Sequence, residues 1–181
     1  FYWMTFRFSY FFKSISVDSL VAFRILFGLL LFFSTIRFIS KGWITDFYVN
    51  PSFHFTYFGF SWIKPWPEFG MYLHFVLLAV LALCISLGLF YRFGTVLFFL
   101  GFTYIELLDK TYYLNHYYAI SLFSFLIIFL PLHRSFSLDC IRRPSIRISS
   151  FPNWALLILQ AQIGLIYFFA GIAKINSDWL F

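Results

Sequence analysis

From Phe93 to Leu132 the chain stays largely apolar for 40 residues. As a helix, such a run rises about 1.5 Å per residue and would be about twice as long as the roughly 30 Å hydrocarbon core of a bilayer. It must therefore fold back, and the one polar place to do so is DKTYYLNHYY, residues 109–118. That reading predicts two membrane spans, about 93–110 and 115–132. Three further apolar stretches have spanning length, about 19–39, 70–91 and 153–174. The expected fold is an all-α polytopic membrane protein with about five transmembrane helices and an aromatic-rich outer loop.

Composition agrees. With 62% hydrophobic and 11% charged residues, the chain lies far from soluble domains, which hold about 45–50% apolar and about 25% charged residues. The formal net charge of +6 is scattered, so it reads as membrane topology, and a nucleic-acid partner is not expected. Residues 1–18 read as an interfacial, cationic-aromatic segment, and residues 19–181 as the transmembrane domain. The opening on Phe1 and the stop at Phe181 read as a piece of a longer protein, with the domain incomplete at its C-terminus. No cleavable signal is recognisable. Cys84 and Cys140 form no disulfide framework.

The positive-inside rule sets an orientation. With the N-terminus cytoplasmic, the inner segments carry Arg7, Lys13, Arg92, Arg134, Arg142, Arg143 and Arg147, and the outer loops carry Lys41, Lys64 and Lys110. Parity then places DKTYYLNHYY and the C-terminal FFAGIAKINSDWLF at the same, exoplasmic face. Residues 43–69 form the long outer loop, too broken by Pro51, Gly59, Pro65 and Pro67 to span. Its aromatics are either lipid anchors or a wall for a flat apolar ligand.

Two polar patches could carry chemistry. Helical steps back from Lys174 reach Gly171, Ala170, Tyr167, Gly164 and Gln160, a stripe of small and polar residues. Small residues let another helix approach closely, so the stripe is expected to face protein, with Lys174 enclosed. The alternative is a lysine snorkelling to the interface. An enclosed lysine becomes a base when low-dielectric burial disfavours its charged form, and Asp178, four residues on, would oppose that. In the second patch, Glu106 with Lys110 and Tyr112 with His116 have the i,i+4 spacing of helical partners. Asp109, Lys110, Asn115 and His116 supply donors, acceptors and an imidazole, or simply a polar turn between helices. The histidines are scattered, with no HxxxH or CxxC spacing, so no metal is expected. Arg24 is deep enough in the first span to need a partner, with Glu106 one candidate.

FFAGIAKINSDWL, preceded by LLDKTYYLNHYY and by SLGLFYRFGTVLFFLGFTYIELLDK, resembles vitamin K-dependent gamma-carboxylase and, more broadly, the horizontally transferred transmembrane (HTTM) domain proteins. The resemblance covers most of residues 19–181 and is sharpest over 91–118 and 164–180. It implies a membrane enzyme, a lyase and epoxidase, that oxidises reduced vitamin K (the hydroquinone) with O2 to the epoxide. It further implies coupling to CO2 addition on a glutamate-containing protein substrate. In the residues that match the family's motifs, Lys174 would be the catalytic base and His116, after Asn115, would contribute to the site. Asp109, Lys110, Tyr167 and Asp178 are supporting or substrate-binding candidates. Vertebrate carboxylases carry two adjacent lysines where this chain has Ala173 and Lys174, so a neighbouring cation is missing here. The reading from a different class is a non-catalytic quinone- or lipid-binding module that anchors a downstream domain; a transporter is least favoured.

Overall fold

The computed structural model describes residues 9–175 and Trp179. The chain folds into α1 (Asp18–Ser40), α2 (Glu68–Leu87), α3 (Tyr91–Leu108), α4 (Asn115–Phe129), the short α5 (Leu138–Arg142) and α6 (Trp154–Ala173). Of these, α1, α2, α3 and α6 are long and apolar enough to cross a membrane. α4, with 15 residues, is the shorter fifth apolar helix and rises about 22 Å. Helices suit this setting because each satisfies its own backbone where no water is at hand. The fold-back expected at 109–118 is present, as a single 3-10 turn, Lys110–Tyr112, between α3 and α4.

The chain divides into two compact units. One joins residues up to Leu20 to residues from Ser149 onward. In it, β1 (Ser14–Ser16) pairs antiparallel with β2 (Ser150–Pro152), Ile15 opposite Phe151. Asn153 fastens the end of β2, its backbone N–H donating to the Lys13 carbonyl at 2.9 Å and its side chain to the Tyr10 carbonyl at 3.2 Å. The Ser16 hydroxyl donates to the Asp18 carboxylate and accepts from the Asp18 N–H, which starts α1.

The other unit, Val21–Ile148, holds the rest of α1 and the bundle of α2, α3 and α4. α2 ends at Gly88, whose left-handed φ of 64° is cheap only for glycine. The Leu89 N–H reaches back to the Cys84 carbonyl at 2.9 Å and closes the helix end. α3 then begins at once, its first amides held by a carboxylate from α5: Asp139 accepts from Phe90 N–H and Tyr91 N–H, both at 3.0 Å.

Arg24 sits in this unit at 1% exposure. Its guanidinium donates to the carbonyls of Leu132 at 3.0 Å, Ser135 at 3.4 Å and Phe136 at 2.6 Å. Arg24 thus finds an internal partner, and it is not the candidate Glu106 but backbone oxygens of the turn that follows α4. The helical pairing expected of Glu106 with Lys110 also fails, because α3 stops at Leu108. Tyr112 and His116 likewise fall on different elements, the 3-10 turn and α4. A polar turn that must reverse the chain cannot also continue a helix.

Candidate functional site

The polar turn and the outer loop build one end of the Val21–Ile148 unit. The loop opens with a single π-helical turn, Thr45–Val49, which buries Tyr48. Phe47 stacks on Tyr112 at 4.6 Å, and Thr45 and Tyr72 share a hydroxyl contact of 2.9 Å. Farther along, the Tyr104 hydroxyl donates to the Lys64 carbonyl at 2.7 Å, and Lys110 N–H to the Phe55 carbonyl at 2.8 Å. The aromatic loop is thus bonded down onto α2, α3 and the turn after α3.

Asp109 is the knot. It is buried at 6% exposure, and its Oδ1 accepts from Thr111 N–H at 2.9 Å and the Thr111 hydroxyl at 2.7 Å. Its Oδ2 lies 3.4 Å from His54 Nδ1. Burial pushes its pKa up, but hydrogen bonds from Thr111, the Phe55 backbone and His54 outweigh that and hold it below the usual carboxylate range. The structure pairs Asp109 with His54 of the outer loop. No spacing in the sequence pointed to His54, since 55 residues separate the two.

Asn115 and His116 are exposed in the first turn of α4, where Leu114 supplies no side-chain cap. They present an amide and an imidazole beside uncapped helix N–H groups, which favours a hydrogen-bond acceptor on a ligand. The His116 ring meets Tyr117 edge-on at 4.6 Å. Lys110 is exposed next to them.

Glu106 is the residue that sequence reasoning undervalued. It lies on α3 inside the span, at the border of two cavities. The larger, about 370 Å³, is walled by Tyr57, Phe99, Tyr118 and Phe125. Among the described residues no hydrogen bond or ion pair holds the Glu106 carboxyl, and the Thr103 hydroxyl on the same cavity is buried without a partner. An apolar pocket with a few placed polar groups is the usual form of a small-ligand site. The signal was available: an acidic residue within an apolar span is a functional candidate by default.

Lys174 and Tyr167 belong to the other unit. Lys174 caps the C-terminus of α6 and is exposed, its Nζ 4.7 Å above the Trp179 ring in a cation–π position. Among the described residues the small-residue stripe meets no close neighbour: Tyr167 is 75% exposed, and a Cβ placed at Gly164 or Gly171 would have nothing within 4 Å. Of the second-patch residues, Asp109 and Lys110 sit in the turn after α3, and Asn115 and His116 in the first turn of α4; Asp178 lies outside the described residues. No cluster of metal-ligating side chains occurs among the described residues.

Long apolar helices with a polar reversal and a bonded-down aromatic loop define a polytopic α-helical membrane protein. A family model, the HTTM domain, matches residues 12–181, and the chain belongs to that family. No solved structure matches it.

Proposed function

We propose that the chain is the membrane part of a vitamin K-dependent gamma-carboxylase-like enzyme. The observation that carries this reading is family membership over nearly the whole chain, because the HTTM domain is the family found in vitamin K-dependent carboxylases. The order of its motifs adds support, with the Asn115–His116 pair at a helix start and Lys174 at a helix end. In this reading Lys174 takes a proton from the vitamin K hydroquinone, and O2 oxidises the resulting anion to the epoxide, one oxygen atom entering the ring and the other leaving as water. Asn115 and His116 supply hydrogen bonds at the polar end of the bundle. Where a protein glutamate is also bound, its γ proton leaves to the oxygenated quinone and CO2 adds at that carbon. The base must be generated in this way, since a glutamate γ C–H is too weak an acid for any side chain to deprotonate.

The same reading sets the orientation. Arg92, at the start of α3, and the segment carrying Arg134, Arg142 and Arg143 crowd one end of the Val21–Ile148 unit, while Lys64 and Lys110 lie towards the other. The N-terminus is then cytoplasmic, and Lys110, Asn115 and His116 are exoplasmic, periplasmic or luminal. The test is to incubate membranes carrying the full-length protein with reduced vitamin K and to follow epoxide. The expected result is formation by the parent and a loss of at least ~100-fold in Lys174→Ala, the scale of a positioned general base. Full epoxide formation by Lys174→Ala sinks the role of Lys174.

One observation favours a second reading. Lys174 is exposed and rests on Trp179, as suits an interfacial anchor in a non-catalytic quinone- or lipid-binding module. That module would bind quinone without forming epoxide and would tolerate Lys174→Arg.

A further inference from the structure

The end of the Val21–Ile148 unit away from the polar turn encloses a cavity of about 260 Å³ that the chemistry above leaves unused. Arg92, His133, Asp139, Arg142 and Arg143 line it. Its single carboxylate is committed elsewhere. Asp139 caps α3 through Phe90 and Tyr91 and faces Arg142 at 3.7 Å. It also holds Phe90 in a left-handed conformation, φ 47°, so the wall is a fixed feature of the turn and not a loose loop. Three guanidiniums against one carboxylate leave an excess of two positive charges.

Those cations are only partly satisfied. Arg92 gives one bond to the Ile128 carbonyl at 2.8 Å, and Arg142 lies over the Phe90 ring at 4.2 Å. Among the described residues the Arg143 guanidinium has no hydrogen bond or ion pair, and the His133 Nδ1 is buried without a partner. Burial, and after it the charge of Arg92, pushes His133 down to about 4. Its imidazole is therefore neutral, and the neighbourhood is electrically positive.

The apolar surface leading away from this cavity has a direction. Phe93, Leu97 and Leu100, 74%, 54% and 56% exposed, follow i, i+4, i+7 spacing along one face of α3. The cavity lies at the first turn of α3, where a membrane span meets the interface. An arginine fork matches phosphate oxygens in pairs and is weakly hydrated, so it suits a headgroup at that depth. A zwitterionic headgroup would bring an ammonium that finds no free carboxylate, since Asp139 is occupied.

We propose that this cavity binds the phosphate of an anionic phospholipid, with Arg92 and Arg143 on the phosphate and an acyl chain along Phe93, Leu97 and Leu100. The proposal does not rest on the quinol reading. To test it, the purified full chain in mild detergent is titrated with dioleoyl phosphatidylglycerol, with dioleoyl phosphatidylcholine or with sodium phosphate, and thermal unfolding is followed. Phosphatidylglycerol should raise the midpoint by several degrees, and the other two should do little. Arg143→Gln should weaken the apparent affinity for phosphatidylglycerol about fivefold, and Arg92→Gln with Arg143→Gln about twenty-five-fold, the usual worth of a basic residue against an anionic lipid surface. Lys64→Gln, at the other end of the unit, should leave it unchanged. Among the described residues the Arg143 side chain makes no hydrogen bond or ion pair that Arg143→Gln would break, so the single variant decides the matter. Phosphatidylcholine or sodium phosphate matching phosphatidylglycerol would overturn the proposal, as would an Arg143→Gln chain that titrates like the parent.

Discussion

Arg24 and Asp109 are the two charged side chains among the described residues that the fold buries, at 1% and 6% exposure, and each spends its charge on a chain reversal. Asp109 collects amide and hydroxyl donors around the turn after α3, and Arg24 gives three bonds to carbonyls of the turn after α4. The sequence shows that a buried arginine needs acceptors, but it cannot show which, because every residue carries a carbonyl. An internal partner was therefore legible, but Glu106 was only one candidate for it and not the one the fold uses. Replacing Arg24 by methionine would leave carbonyls of the same turn buried without donors. The expected loss is on the order of 3 kcal/mol, read as a large drop in the unfolding midpoint in detergent. Arg24→Lys should recover less than half of it, since one ammonium cannot span three separated carbonyls. A methionine variant as stable as the parent would mean that water replaces the guanidinium.

The spans were legible because about twenty apolar residues leave no other solution, and each predicted stretch contains a helix. What sequence periodicity could not rank was which small residues make contact. The stripe Gly164–Ala170–Gly171 reads as a close-packing face, yet among the described residues its glycines meet no close neighbour. A close approach of helix to helix is made instead by Gly28 of α1, an unremarkable glycine in a run of leucines. A Cβ there would fall 2.5 Å from the Ser86 backbone nitrogen. The Ser86 hydroxyl also donates to the Ile25 carbonyl at 3.1 Å, tying α2 to α1 at the same crossing. Contact of this kind depends on where two helices cross, which the pattern of one helix does not contain. Gly28→Val should cost about 1–3 kcal/mol through overpacking. Gly164→Val should change detergent unfolding little by comparison, and an equal loss in both would show that α6 packs as tightly as α1.

At the scale of the molecule, polar groups gather at two ends of an apolar bundle, and the two ends respond to acid differently. The cluster at 109–118 was visible in the sequence as the only polar break in a 40-residue run, although its anchor, His54, was not. At the other end the arginines were visible, but the cavity they share with His133 exists only once α3 and α5 are brought together by Asp139. His133 binds a proton near pH 6.5 when unfolded and only near 4 when folded, held down by burial and then by Arg92. Between those values the unfolded chain carries more protons, so stability is intact above about pH 6.5 and is lost as pH falls towards 4, by at most ~1.4 kcal/mol per pH unit for one group. Asp109, held below its usual 3.8, adds its own loss only under still more acid conditions. The unfolding midpoint should therefore fall between pH 7 and pH 5. His133→Asn should start lower, because the ring stacked on Tyr91 at 5.1 Å is gone, but its midpoint should be flatter over the same interval. Saturating phosphatidylglycerol should also flatten the parent's profile, since a phosphate beside Arg92 and Arg143 favours the protonated imidazole. A parent profile that keeps its slope with lipid bound, while His133→Asn loses it, would place the phosphate away from this cavity.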